Sequence, residues 1–163
     1  MTVATQRFMR KGVTKFYFVT AIAAFPTVSH TEAIAGVDVT PQLATITGFN
    51  FANTPIKTPN MKDVFTPEIP GEDTAAASSL EFYELKGGTT EPIHDALPKN
   101  ATGWILAFAE GLAGGAPALG DRCDAWPVTV SANSRQYNAG NQAAMYKVDF
   151  SITAPPALDT VLT

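Results

Sequence analysis

A mainly β domain with one short helix is the fold class this sequence predicts, and three observations predict it. From Tyr146 to Thr153 apolar and polar residues alternate without a fault. Successive side chains on a strand point to opposite faces, so Tyr146, Val148, Phe150 and Ile152 turn inward while Lys147, Asp149, Ser151 and Thr153 turn outward. Other runs of strand length are rich in β-branched and aromatic residues. Twelve Gly and twelve Pro, dispersed rather than periodic, favour many turns over long helices.

Taken in order, residues 1–13 are polar to mixed, with Arg7, Arg10 and Lys11, and read as an N-terminal arm. The run from Lys15 to Ala24 admits two readings. A basic leader, a short apolar run and small residues can be a secretory signal. Its aromatic and β-branched make-up, including Phe16 and Phe18, suits a first strand better. Residues 25–41 read as a loop with a short strand or turn. Gln42 to Phe51 is a second strand, with Gly48 marking a bulge. The segment 52–77 reads as a long inter-strand loop, because Pro55, Pro59, Pro67 and Pro70 interrupt a regular ladder. Loops beyond about 12–15 residues tend to be functional or disordered. Ile56, Met61, Val64, Phe65 and Ile69 are too apolar for a disordered linker, so the loop either folds over its own core or grips something else.

Ser78 to Leu85 is a third strand, with Leu80 and Phe82 on one face. Thr90 to Leu97 has a Thr cap, an early Glu and Pro, and apolar residues four apart, which predicts the helix. Gly103 to Glu110, with Trp104 and Leu106, is apolar enough to be buried on both faces. Ala125 to Ser131, with Trp126 and Val128, pairs with the closing strand across a polar turn centred on 133–141. Residues 154–163 read as a C-terminal arm on a single domain spanning 1–163.

Composition excludes several functions. Only 16% of residues are charged, against the usual ~25%, which points to a surface covered by assembly. A net charge of −4 disfavours groove-reading or wrapped DNA binding, which needs clustered Lys and Arg. The single cysteine, Cys123, excludes an internal disulfide framework and a Cys-based zinc site. No apolar run approaches the roughly 18–20 residues of a spanning helix, so membrane insertion is not expected.

Chemistry-bearing patterns are sparse. His30 and His94 have no partner three or four residues away that would make a metal pair. Ser29, His30 and Asp38 are the residue types of a triad without a nucleophile elbow. Glu68, Glu72 and Asp73 match no calcium loop. The run from Gly111 to Gly120 lacks the lysine and following helix of a phosphate loop. The sequence therefore reads as a non-enzyme with no cofactor, metal or catalytic residue.

Several segments together carry a resemblance: VATQRFMRKGVTKFYFV at the start, GFNFANTPIKTPNM, IPGEDT followed by SSLEFYE, AWPVTVSANSRQY, and the closing AAMYKVDFSITAPPALD. In this order and spacing the chain resembles a major tail protein, the tail tube subunit, of long-tailed bacteriophages of the kind found in actinobacterial phages. The resemblance spans most of the chain. It implies a β-sandwich flanked by a helix, with sheets of neighbouring subunits joined into a continuous barrel in a hexameric ring. Stacked rings would form the tail tube around a tape-measure protein and conduct viral DNA without specific binding. Tail assembly chaperones and the tail terminator and distal tail proteins are the other implied partners. The implied location is the virion, after assembly in the host cytoplasm. A conduit must not hold its cargo, so a polar, near-neutral or negative lumen is expected, with Lys147, Asp149, Ser151 and Thr153 as candidate lining and Lys147 paired to a carboxylate across strands. The loop residues Ile56, Met61, Val64, Phe65 and Ile69 would meet a neighbouring subunit, and both arms would order on assembly. Two alternatives stand beside this reading. One is a tube subunit of a contractile tail or related injection particle. The other is a secreted β-sandwich carbohydrate-binding module using Trp104, Trp126 and Tyr137.

Overall fold

A computed structural model describes residues 7–62, 64–88 and 90–163. In chain order it holds β1 (Lys15–Val19), α1 (His30–Ala35), β2 (Val37–Asp38), a 3-10 turn (Thr40–Gln42), β3 (Leu43–Thr47), β4 (Phe51–Lys57), β5 (Glu68–Ala75), β6 (Ser78–Tyr83), α2 (Pro92–Ala96), β7 (Thr102–Phe108), β8 (Arg122–Gln136), β9 (Met145–Ile152) and β10 (Ala157–Val161). The mainly β class stands. One sheet runs β2-β1-β7-β8-β9-β6-β3, with β10 added to β8, and β4 and β5 form a separate two-stranded ribbon. The sheet does not close on itself: its end strands, β2 and β3, are not paired with each other.

The long strand β8 organises the sheet. Its first half lies between β7 and β10, and its second half pairs with β9. Pro127, a residue that cannot donate to a ladder, falls where β10 pairing ends and β9 pairing begins. Its carbonyl accepts from Thr153 N at 3.1 Å on that side, so the missing N–H faces the same junction.

Strand alternation feeds two apolar clusters, one on each face. The first gathers Phe16, Phe18, Leu80, Phe82, Ile105, Trp126, Val128, Tyr146, Val148 and Phe150, with Ile93 and Leu97 from α2 and its end covering it. The second gathers Tyr17, Val19, Leu106, Phe108, Cys123 and Ala125 beneath α1 and Leu162. Ile105 and Leu106 are both fully buried, so β7 is dry on both faces as its composition predicts. Of the expected core, Trp104 and Ile152 are only half-buried. Trp104 packs at the edge of the second cluster against Phe25, ring centroids 6.2 Å apart, and Ile152 lies at the last position of its strand.

Four expectations need correction. The 25–41 loop contains α1, because Ser29 and Glu32 form a capping box: Glu32 N donates to Ser29 Oγ at 3.3 Å, and Ser29 N donates to Glu32 Oε2 at 2.9 Å. The Glu32 carboxylate is held below its usual range chiefly by the backbone N–H of Ala23, then by that of Ser29. The run expected as one strand over 42–51 breaks after β3. Gly48 takes a positive φ of 80°, where an added Cβ would lie 2.4 Å from the Ala77 carbonyl, and Phe49 follows with φ 54°. Phe49 then packs on Trp126 and Phe150, with ring centroids 5.9 and 6.0 Å away.

The segment 52–77 is a β-hairpin rather than an irregular loop. Pro59 and Pro67 lie at its tip. Pro55 and Pro70 meet at one register shift, between Thr54 and Ile56, so both missing donors fall where the ladder is already broken. Asn53 bridges the gap from its side chain: Nδ2 donates to Gly71 O at 2.8 Å and Gly71 N donates to Oδ1 at 3.0 Å. The C-terminal stretch is also structured. Strand β10 pairs with β8, Leu162 is buried, and Thr163 O accepts from His30 N at 2.8 Å. At the other end, residues 1–6 of the expected arm lie outside the described residues.

Candidate functional site

The outward side chains of β9 share a face with their neighbours on three strands. Ser134 on β8 and Glu81 on β6 both lie opposite Lys147. Ala132 and Ser79 both lie opposite Asp149, and Thr45 and Thr47 of β3 continue the row beside Glu81 and Ser79. The result is a polar sheet surface of Thr, Ser, Gln and a few charges on the side away from the first cluster. Lys147 Nζ pairs with Asp149 Oδ1 at 3.3 Å, along its own strand rather than across strands. Glu81 instead accepts from Gln136 Nε2 at 3.4 Å. The charges nearly cancel, with Glu81 in excess. Ser151 is exposed on this face, and Thr153 is exposed just past the end of β9.

The β4–β5 hairpin stands off the body, and nearly all of its residues are exposed. Its apolar residues gain nothing from the fold: Met61 and Val64 are fully exposed, Phe65 is 80% exposed, and Ile56 and Ile69 are about half exposed. A lone exposed apolar side chain is ordinary, whereas a cluster on a projecting ribbon is apolar surface that the fold itself leaves uncovered. Strand β3 is a second open feature. Among the described residues it pairs only with β6, which leaves its other edge without a partner strand.

Sequence reasoning missed a third region, at the far end of β8. Arg135 is ion-paired to Glu84 through Nε and lies 3.7 Å from Glu91. His94 packs edge-on against the Tyr146 ring at 5.1 Å and lies 3.6 Å from Asp95. Burial, reinforced by Glu91, pushes the Tyr146 hydroxyl well above its ordinary value. These residues sit on a strand end, a loop and a helix far apart in sequence, and no local motif announces them.

The residue types of a triad do not come together among the described residues. Ser29 is a helix cap, His30 Nε2 lies 3.1 Å from Pro117 O, and Asp38 accepts from Thr40 N at 2.9 Å. Among the described residues no group of three His, Cys, Asp or Glu side chains could hold a metal. Burial, with Asp124 and Asp121 nearby, pushes the Cys123 thiol up to about 12, which leaves it protonated and unreactive at neutral pH. Trp104 and Trp126 face the two apolar clusters instead of forming a flat exposed row. Among the described residues no helix is long and apolar enough to cross a membrane.

The described residues thus form a mainly β-protein with a two-faced sheet, an exposed apolar ribbon and an open edge. The sequence matches the family described as phage tail tube protein along residues 1–163, and the chain belongs to that family. It is accordingly a structural tail tube subunit and not an enzyme. Two solved structures share the fold. The cryo-EM structure of the anti-feeding prophage baseplate, 6-fold symmetrised, aligns at 9% identity with a TM-score of 0.59, covering 93% of this chain and 95% of that one. The tail of an empty GTA particle, solved by helical refinement with C6 symmetry, aligns at 10% identity with a TM-score of 0.51, covering 76% of this chain and 85% of that one. No curated protein matches the sequence.

Proposed function

We propose that copies of this chain join edge to edge into hexameric rings, and that the rings stack into a tube around a tape-measure protein that sets its length. The observation that carries this reading is the two-faced sheet: its β6–β8–β9 part is dry on one side, polar and open on the other, and bounded by the unpaired edge of β3. Pairing that edge with a neighbour removes a template for uncontrolled aggregation and continues the sheet around a barrel. The polar face carrying Lys147, Asp149, Ser151 and Thr153 then lines the lumen. Small hydroxyls and self-paired charges give DNA little to hold during passage. The hairpin side chains Ile56, Met61, Val64, Phe65 and Ile69 are buried against a neighbouring subunit. Chaperones would hold the subunit in the host cytoplasm before assembly, and terminator and distal tail proteins would close the tube ends.

A cysteine at Ser151 tests the lumen assignment. Assembled Ser151→Cys tubes should react with a small maleimide and resist a polymer-linked one, while unassembled protein reacts with both. Equal labelling of tubes by the bulky reagent would place the face outside and overturn the assignment. Native Cys123 contributes little background because its buried thiol stays protonated.

A further inference from the structure

Residues 7–15 carry Arg7, Arg10, Lys11 and Lys15 and no acid. Among the described residues, Arg7, Arg10 and Lys11 form no ion pair. Between them Phe8 and Met9 are 51% and 71% exposed. The segment is therefore cationic and apolar at once, with neither property satisfied by its own domain. It is held at one end of the sheet: Thr14 Oγ1 donates to Ala109 O at 2.9 Å, and Lys15 pairs with Phe108 beside the start of β8.

The opposite end of β8 has the complementary surface. A hollow of about 200 Å³ is lined by Thr90, Glu91, His94, Asp95 and Arg135. Next to it, a hollow of about 370 Å³ is lined by the exposed Tyr137 and by Ala139, Ala143 and Ala144, with Gln136, Asn138 and Gln142 among them. The Glu84–Arg135 ion pair stands between the two. Two carboxylates, Glu84 and Glu91, thus flank one guanidinium, with Asp95 lining the same hollow and a shelf bearing Tyr137 and three alanines beside it.

Reach decides which copy fills it. From Asp124, level with the arm's anchor, to Arg135 the strand covers about 35 Å at roughly 3.3 Å per residue. From Val13 back to Arg7 the chain extends at most about 20 Å. The segment cannot reach the hollow of its own copy, but a copy displaced along the strand direction brings the two ends together. A contact between different surfaces of identical subunits, repeated without closing, propagates a filament.

We infer that Arg7–Lys11 of one subunit docks into the Glu84–Glu91–Asp95 hollow of the next subunit along the tube, with Phe8 and Met9 on the Tyr137 shelf. This rests on the tube reading and names the contact that joins successive layers. The test is a charge swap, read by electron microscopy and sedimentation. The triple variant Arg7→Glu, Arg10→Glu, Lys11→Glu should stay folded and raise the concentration needed for tubes roughly ten-fold, as expected for three exposed ion pairs acting together. Adding Thr90→Lys and Asp95→Lys should restore tubes. Normal polymerisation of the triple variant, or loss without rescue, would overturn the inference while wild-type tubes keep the tube reading intact. A disulfide between Met9→Cys and Ala143→Cys, in a Cys123→Ser background, gives a second readout. Inter-subunit dimers in tubes support the contact, and their absence from well-formed tubes contradicts it. If the wild type formed no tubes under any condition, the tube reading would fall and this contact with it.

Discussion

Phe65→Asp is expected to give a folded subunit that no longer polymerises. Phe65 is 80% exposed on a hairpin that stands off the body, so the isolated domain loses almost nothing. A surface substitution of this kind usually changes stability by no more than about 0.5 kcal/mol. On the proposed hairpin contact the same side chain becomes buried in the tube, and burying a Phe contributes about 1.5–3 kcal/mol. A carboxylate placed there adds an uncompensated desolvation cost. With each 1.4 kcal/mol worth ten-fold, the concentration needed for assembly should rise at least about a hundred-fold. Light scattering on a dilution series, beside thermal melts of the unassembled chain, checks both halves. Tubes at wild-type concentrations would show that the hairpin grips no neighbour.

The second large effect lies in the core. Phe82 is fully buried and stacks on Tyr146, ring centroids 5.2 Å apart. It occupies the centre of the first cluster, where β6 and β9 face α2. Truncation to Ala loses transfer energy and leaves a cavity, a combined cost of about 3–5 kcal/mol. For a chain of this length that lowers the melting temperature by roughly 10 °C. A drop of only a degree or two would mean that the sheet does not close over this cluster. Trp104→Ala should cost less, because Trp104 is half-buried at the rim of the second cluster.

These consequences differ in how far the sequence foretells them. The β8–β9 pair was legible because period-two alternation is a direct record of one dry and one wet face, and its wet face is where Lys147, Asp149 and Ser151 were expected. The double burial of β7 was legible from its continuous apolar run. Helix α1 was hidden by its shortness, although Ser29 and Glu32 at capping-box spacing were the available signal. The hairpin was hidden by its prolines. Their disruption depends on where they meet across the ladder, and Pro55 facing Pro70 at one bulge is a tertiary fact. The C-terminal strand was missed because its pairing partner, the first half of β8, is more than thirty residues earlier in the chain. The acidic hollow at the far end of β8 was invisible for the same reason. Glu84, Glu91, Asp95 and Arg135 come together only through the fold.

The most direct measurement is a helical reconstruction by cryo-electron microscopy of the polymer formed by the purified chain. The expected result is a hollow tube of stacked six-fold rings in which the β3 edge is paired with a neighbour. Lys147, Asp149 and Ser151 should line the bore, and the hairpin should be buried between subunits. A solid fibre would contradict it, as would a tube whose bore is lined by the opposite sheet face.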